Sequence, residues 1–242
     1  MITSAARAIE RFLLPNACVS CGGIMPVSHP DELICGVCRA RMRPLATGCS
    51  RCCNPLPPVG PCRFCAAWHG ALVYVTSAVW LGTEARRLVH ELKYGEARSL
   101  AEVAADTIVR RVAVPHADVV VPIPTGPRRL KRRGYNQAGL IAEALGARWS
   151  LPVVRSLLAR RDATSQTGLS PMLRAANVRS AFEAGRALHR GRMILVDDVL
   201  TTGATIDAAT RVLADAGWQH MVGVTFARTP SADVKLMWSR EW

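Results

Sequence analysis

The stretch from Met193 to Thr205, MILVDDVLTTGAT, constrains the fold of this chain more than any other. An apolar run ends in two adjacent carboxylates, Asp197 and Asp198, and a short loop of threonines and a glycine leads into a helical pattern. A buried strand, a phosphate-sized loop and a helix N-terminus in this order are typical of α/β folds that bind ligands where the strand ends. We therefore expect a parallel sheet flanked by helices.

The same stretch predicts a ligand that carries a phosphate and a cis-diol. The N–H groups of the loop and of the helix N-terminus suit a phosphate, and paired carboxylates suit the hydroxyls of a ribose. A simpler interpretation is that the two acids cap the following helix. A Walker B strand is excluded, because it requires a Walker A loop and the chain contains no Gly-Lys pair.

This stretch closely resembles the signature with which type I phosphoribosyltransferases bind phosphoribosyl pyrophosphate (PRPP). The resemblance implies a type I phosphoribosyltransferase-like sheet in which the two acids hold the ribose and the loop holds the 5-phosphate. The residues that it assigns to PRPP are Asp197, Asp198, Val199, Thr201, Thr202, Gly203, Ala204 and Thr205.

Eight of the nine cysteines form four C-x-x-C pairs. Each pair can place two thiolates on one cation, and two pairs complete the tetrahedral site of structural zinc. Four pairs in series favour metal over a redox motif, and disulfides are disfavoured in the cytoplasmic protein that we expect. We predict two structural zinc ions, with the ligands Cys18, Cys21, Cys35, Cys38, Cys49, Cys52, Cys62 and Cys65.

Two ways of combining these pairs stay open. Sequential pairing joins the first pair to the second and the third to the fourth, whereas a cross-brace joins the first to the third and the second to the fourth. We favour sequential pairing because shorter loops cost less to close. The ninth cysteine, Cys53, could compete with Cys52 as a ligand.

The formal net charge of +13 is concentrated in one region, because residues 119–192 contain 14 basic and three acidic residues. Arginine outnumbers lysine 28 to 3, which indicates either GC-rich codon usage or the recognition of phosphates by guanidinium groups. Such a field attracts a polyphosphate or nucleic acid. No apolar run approaches the length of a membrane span, and we expect a cytoplasmic protein.

The pattern along the chain predicts four regions. Residues 1–14 are expected to form an amphipathic helix rather than a signal peptide, 15–68 a double zinc ribbon, 71–230 the α/β domain and 231–242 a tail. Strand patterns alternate with helix patterns after residue 70, which favours right-handed crossovers and a parallel sheet. The predicted strands are 71–80, 118–121, 153–159, 192–199 and 219–227, of which 153–159 is expected to be interrupted or frayed. The predicted helices are 83–93, 97–112, 136–148 and 204–216.

A basic segment follows the predicted strand 118–121. Because carboxyl ends of parallel strands meet at one edge of a sheet, we expect this segment beside the 201–205 loop. It corresponds to the pyrophosphate loop of type I enzymes, and bound pyrophosphate calls for Mg²⁺; an ordinary basic surface loop is the alternative. The predicted substrate residues are Pro124, Thr125, Arg128, Arg132, Arg133, Asn136 and Gln137.

The order of these motifs is similar to that of the ComF family, a double zinc ribbon fused to a phosphoribosyltransferase-like domain. The cysteine region precedes LKYG at Leu92–Gly95, PIP at Pro122–Pro124, RRGYNQA at Arg132–Ala138 and the VDDV-TTGAT signature. Together these motifs extend the resemblance over nearly the whole chain.

The resemblance also implies a flexible catalytic loop that contains Arg174, a candidate clamp on pyrophosphate. With Asp197 and Asp198, Arg174 completes the predicted catalytic set. The loop departs from the family pattern at Pro171, where a charged or polar residue is more usual. We interpret Lys93 as a surface lysine at a helix end, with a role in the site as the weaker interpretation.

Two classes of function fit these residues. The first is an enzyme of nucleotide metabolism that transfers a phosphoribosyl group from Mg²⁺-bound PRPP to an unidentified acceptor. The second, implied by the association of ComF proteins with DNA uptake in natural transformation, is a competence factor that binds single-stranded DNA and DNA-processing proteins. A combination, in which PRPP regulates a DNA-binding protein, is also consistent with the sequence.

Overall fold

The structure is a computed structural model that describes residues 17–25, 33–45, 48–55, 60–95, 97–161, 181–185 and 191–230. The helix expected over residues 1–14, the expected tail at 231–242 and the candidate clamp Arg174 lie outside these ranges. The expected boundaries between the four regions stay predictions.

The described residues form six strands and six α-helices. The strands are β1 (Leu72–Trp80), β2 (Val119–Pro122), β3 (Leu158–Arg160), β4 (Phe182–Ala184), β5 (Arg192–Leu200) and β6 (His220–Arg228). The helices are α1 (Gly36–Arg41), α2 (Thr83–Tyr94), α3 (Leu100–Arg111), α4 (Pro127–Arg133), α5 (Gln137–Trp149) and α6 (Ala204–Asp215).

Four strands form a parallel sheet in the order β1-β6-β5-β2. The expected fold class is confirmed: a parallel sheet is flanked by helices, and a cysteine-rich segment with two groups of four cysteines precedes it along the chain. Strands β3 and β4 form a separate antiparallel pair.

Strand β5 lies between two hydrophobic cores. Alternate side chains of a strand point to opposite faces, so Ile194 and Val196 pack in one core with helices α3 and α5. Met193 and Leu195 pack in the other core, against α6. Burial on both faces explains why the sequence of β5 is a continuous apolar run.

One prediction beside the sheet is wrong. Residues 127–133, expected as a loop, form helix α4, which begins at Pro127 and is followed by the left-handed Gly134, both favourable positions for these residues. The interrupted strand expected over 153–159 is present as a single bridge between Val153 and Val120, a 3₁₀ turn and the short strand β3. Helix α4 was missed because it has no apolar periodicity.

No helix among the described residues combines the length and the apolar character needed to cross a membrane.

Candidate functional site

A cavity of about 380 Å³ opens at the carboxyl ends of β2 and β5. Its position follows from the pairing of these strands, because the Ile123 N–H donates to the Val196 carbonyl (2.8 Å) and brings the segment after β2 against the end of β5. The walls that bear on the chemistry are formed by Pro124, Thr125, Lys93, Arg129, Arg133, Asn136, Gln137, Arg160, Asp197, Asp198, Val199, Thr201 and Thr205.

Two carboxylates stand where β5 leaves the cores. The Asp198 N–H donates to Asp197 Oδ1 (2.9 Å), and Lys93 Nζ lies 2.6 Å from Asp198 Oδ2. Both members of this ion pair are largely buried, with side-chain exposures of 24% for Lys93 and 11% for Asp198. Burial, followed by repulsion from the charge of Asp198, raises the pKa of Asp197 to about 8.

The loop between β5 and α6 turns at Gly203, whose φ of +77° lies in the left-handed region. A side chain at Gly203 would also overlap the indole ring of Trp68, so the position requires glycine on two counts. Gly203 caps α6 without a side-chain hydrogen bond. The Ala204 N–H donates to the Thr202 hydroxyl (3.3 Å), and the next backbone N–H groups of the first turn of α6 lie close to the threonines, an arrangement that suits an anion.

Four cations line the cavity around the carboxylates: Lys93, Arg129, Arg133 and Arg160. Arg133 is fixed by two hydrogen bonds that it donates, to Gln137 Oε1 and to the Tyr94 hydroxyl, both at 3.1 Å. Burial lowers the pKa of Arg160, and Arg129 lowers it further, whereas Asp197 acts in the opposite direction. These shifts place Arg160 within electrostatic reach of both residues.

One face of helix α4 lines the cavity and the other does not. Arg129 and Arg133, four residues apart, line the cavity. Lys131 and Arg132 are not among the residues that line it, and neither is Arg128. Residues three and four apart share one side of a helix, so 128, 131 and 132 form the other face. Of the predicted substrate residues, the structure therefore brings Arg133 to the cavity and places Arg128 and Arg132 outside its wall.

Sequence reasoning missed part of this site. Lys93, interpreted as a surface lysine, is paired with Asp198, and Arg160 was not predicted. Arg129 belongs to the basic segment that was predicted to face pyrophosphate. The LKYG motif carried a signal for Lys93, because its tyrosine also contacts the site through Arg133. Arg160 lies at the end of the short strand β3, and no local pattern in the sequence indicates that this strand reaches the cavity.

The cysteines form two groups by sequential pairing. The first cysteine group is Cys18, Cys21, Cys35 and Cys38, the second cysteine group is Cys49, Cys52, Cys62 and Cys65, and within each the sulfur atoms lie within 4.8 Å of one another. Cys53 stands apart, with Sγ 4.0 Å from the Thr76 hydroxyl.

The spacing of the sulfur atoms fits zinc. Four Zn–S bonds of about 2.3 Å in a tetrahedron separate neighbouring sulfurs by about 3.8 Å. The Cys49–Cys65 and Cys52–Cys62 pairs are 3.6 Å apart, and the Cys21–Cys35 pair is 3.9 Å apart. Each group can therefore hold one zinc ion with all four positions filled, which is the arrangement of a structural site.

The burial of Arg228 is an independent indication that the second cysteine group carries negative charge. Its side chain is fully buried, with 0% exposure, and it donates to the Cys52 carbonyl (2.5 Å) and to Asn54 Oδ1 (3.0 Å). A buried cation needs a compensating charge. Four thiolates on Zn²⁺ would carry a net charge of −2 and supply it.

The chain is similar to curated proteins that are named for DNA utilization or for competence. It is 28% identical over 222 residues to "DNA utilization protein YhgH" of Escherichia coli K12, covering 84% of this chain and 93% of that protein. It is also 28% identical over 202 residues to "Competence protein ComFC" of Bacillus subtilis, covering 78% and 80%.

The chain is a relative of the ComF competence proteins. The resemblance inferred from the motif order is thereby confirmed. No family model matches the chain.

Solved structures of phosphoribosyl enzymes align with this relative of ComF at low scores. Orotate phosphoribosyltransferase from Aeropyrum pernix gives a TM-score of 0.34 with 19% identity, over 64% of this chain and 70% of that one. The PRPP amidotransferase of Bacillus subtilis gives 0.36 with 21% identity, over 56% and 26%. Such scores carry no argument about the site, which depends on the geometry above.

Replacing Arg228 with methionine tests the charge balance at the second cysteine group. We expect Arg228→Met to weaken zinc binding there by about tenfold, the usual effect of losing a group that supports metal ligands. One zinc equivalent should then pass to a competing chelator at a lower chelator concentration than in the wild type. Arg148→Met, which removes an arginine that pairs with Glu102 and Asp106, is the control. Identical release curves for all three proteins would contradict the assignment.

The raised pKa of Asp197 predicts a pH-dependent cost to stability. A carboxyl whose pKa is higher in the folded than in the unfolded state stabilises the fold at low pH, and this contribution is lost as the pH rises towards 8. Asp197→Asn should therefore raise Tm by roughly 2–4 °C at pH 8 and by much less at pH 5. Thermal unfolding at both pH values checks this, and an equal shift at both would show that Asp197 is not the titrating group.

Proposed function

We propose that this protein binds PRPP in the cavity at the carboxyl edge of its sheet and uses it in the handling of nucleotides or DNA. The observation that carries the proposal is the meeting of three ligand-specific parts around one cavity. They are the carboxylates of Asp197 and Asp198, the loop 201–205 that opens α6, and the cations of α2, α4 and β3.

Each part suits one portion of PRPP. The 5-phosphate would bind at the loop 201–205 and the α6 N-terminus. The ribose hydroxyls would donate to Asp197 and Asp198, which favours the ionised form of Asp197. The pyrophosphate would lie against Arg129, Arg133 and Arg160, which line the same cavity as the carboxylates. Mg²⁺ would arrive with the pyrophosphate and neutralise part of its charge.

Lys93 has a distinct place in this arrangement. Its ammonium group lies 2.6 Å from Asp198 Oδ2 and neutralises that buried acid. When the ribose hydroxyls donate hydrogen bonds to Asp198, the ammonium group of Lys93 would move towards the charged pyrophosphate. The pair thus limits the cost of keeping a carboxylate ready in a desolvated cavity.

The chemistry that such a site supports is phosphoribosyl transfer. A nitrogen nucleophile would displace pyrophosphate from C1 of the ribose, and positive charge would develop on the ring. Asp197 and Asp198 would stabilise that charge, and the arginines would stabilise the leaving group. Arg174 would clamp the pyrophosphate in this step, as the family resemblance implies, and the acceptor is not identified by the site.

Calorimetric titration of the zinc-loaded protein with PRPP tests the proposal. We expect saturable binding that depends on Mg²⁺. Asp198→Asn should weaken it by at least about tenfold, because a hydrogen bond to a charged group contributes roughly 1.5–3 kcal/mol. Asp106→Asn, which changes an acid of α3 paired with Arg148, should bind as the wild type does. Normal PRPP binding by Asp198→Asn would remove the carboxylates from the site.

A second candidate function, binding of single-stranded DNA, is favoured by the outer face of α4. No residue of this helix is buried, and Lys131 and Arg132 do not line the cavity. Tyr94, which is 56% exposed, lies beside Arg132, whose guanidinium carbon is 5.9 Å from its ring centre. Cations beside an exposed aromatic ring are typical of surfaces that bind single strands. The similarity to YhgH, which is named as a DNA utilization protein, is consistent with this function.

The salt dependence of DNA affinity tests the outer face of α4. Removing two phosphate contacts by Lys131→Ala/Arg132→Ala should reduce the slope of log K against log salt by about 1.4, since each contact to a single strand contributes about 0.7. PRPP affinity should stay the same. Arg86→Ala/Arg110→Ala, which removes two exposed arginines from α2 and α3, is the charge-matched control. Equal slopes for the two double variants would exclude this face.

A further inference from the structure

A short segment of the chain, Ala67–His69, follows the last cysteine and is hydrogen-bonded to the helix that begins at the 201–205 loop. We call this segment the connection. The His69 N–H donates to Asp207 Oδ1 (2.6 Å). Arg211 donates to the other oxygen of Asp207 and to the Ala67 carbonyl, both at 2.9 Å. These bonds fix the connection to the first two turns of α6, the helix that opens in the loop.

Trp68, between these two anchors, touches the loop itself. Its indole ring is 8% exposed and lies so close to Gly203 that no side chain fits there. The ring is supported from behind by Phe64, whose centre is 5.7 Å away in an edge-on arrangement. Trp68 does not line the cavity, so any effect on a ligand acts through the loop backbone.

The second cysteine group holds this connection from both of its C-x-x-C turns. Trp68 and His69 directly follow the turn that contains Cys65. Arg51, in the turn between Cys49 and Cys52, donates to the carbonyls of Cys65, Trp68, His69 and Leu72 at 2.8–3.3 Å. Loosening either turn would therefore release the connection.

The other end of the loop is tied to the same group. The Thr229 N–H donates to the Leu200 carbonyl (2.9 Å), one residue before the loop begins. The neighbouring Arg228 donates to Cys52 and packs over the Phe64 ring, with its guanidinium carbon 4.1 Å from the ring centre. The loop is thus held on both sides by elements that contact the second cysteine group.

The first cysteine group has different neighbours. Its described contacts run to helices on the opposite face of the sheet: Arg87 of α2 donates to the Ser20 carbonyl, and Arg111 of α3 donates to the Met42 carbonyl at 2.9 Å. Cys18 and Cys38 pack in the core of α3 and α5, whereas Cys52 and Cys65 pack in the core of α6. The two metal sites therefore support opposite faces of the fold.

We propose that Trp68 is a positioning residue of the 5-phosphate site and that the second cysteine group, with its metal, holds Trp68 in place. The ring fixes the left-handed turn at Gly203 and so sets the direction of the N–H groups that receive the phosphate. The inference rests on the proposed PRPP site, and it gives the two cysteine groups separate roles: the second supports ligand binding, and the first supports the helices.

Trp68→Phe tests the positioning role, with Trp149→Phe as the matched control. Both tryptophans are 8% exposed, but Trp149 lies in α5 and in the other core. Two partial ligands separate the subsites: ribose 5-phosphate contains the 5-phosphate and the diol, and inorganic pyrophosphate reaches the arginines. Calorimetry measures both, and hydrogen exchange of residues 199–207 reports on the loop without any ligand.

We expect Trp68→Phe to weaken ribose 5-phosphate binding by about tenfold or more, since a displacement of about 1 Å can cost up to a hundredfold. Pyrophosphate binding should be unchanged, and exchange should rise in residues 199–207. Trp149→Phe should show neither effect. Unchanged exchange and ribose 5-phosphate affinity in Trp68→Phe would overturn the proposal. An equal loss of both ligands, with exchange raised throughout the sheet, would also overturn it by showing a general structural role.

The exchange measurement separates this inference from the PRPP proposal. If the wild type binds neither partial ligand, the PRPP proposal fails, and the exchange of the loop alone decides whether Trp68 positions it. The role of the metal is tested by Cys65→Ser against Cys21→Ser, each of which removes one ligand from one group. We expect faster loop exchange in Cys65→Ser only, and equal effects would contradict separate roles for the two groups.

Discussion

The site depends on the point at which the burial of β5 ends. From Met193 to Val196 the strand is enclosed between two cores, and each side chain there has 0% exposure. The next two residues are acids that the chain must hold near the same low-dielectric interior. This placement raises the pKa of Asp197 and draws Lys93 onto Asp198. The pairing of the two carboxylates with each other and with Lys93 follows from that transition.

The two cores also explain why the chain carries two cysteine groups. A parallel sheet needs cover on both faces, and in this chain the cysteine-rich segment contributes to both. The first group packs with α3 and α5, and the second packs with α6 and the loop that α6 opens. The second group is linked to that loop through Trp68, whose ring contacts Gly203.

Much of the fold and part of the site could be predicted from the sequence because the signals are local. The DD-TTGAT stretch contains strand, turn and helix in consecutive residues, and the parallel sheet follows from the alternation of patterns. Sequential pairing of the cysteines was favoured by loop length, and the structure groups them in that way.

The features that were missed depend on tertiary contacts. Lys93 lies 105 residues from Asp198 in the sequence and reaches it only because α2 ends above β5. No local sequence pattern distinguishes Arg228 from other arginines at strand ends, because its contact with Cys52 forms only in the folded protein. Trp68 gave no periodic signal, and its meaning comes from the glycine that it contacts. Helix α4 was not predicted because a run of basic residues without periodically spaced apolar residues has the same sequence pattern as a surface loop.

The most direct test of the account is a crystal structure of the zinc-loaded protein with PRPP and Mg²⁺. The account predicts the 5-phosphate on the N–H groups of residues 201–205, the ribose hydroxyls on Asp197 and Asp198, and the pyrophosphate facing Arg129, Arg133 and Arg160. Lys93 should have moved from Asp198 towards the pyrophosphate. An ordered ligand elsewhere, or a cavity that stays empty at saturating PRPP with Lys93 still paired to Asp198, would contradict it.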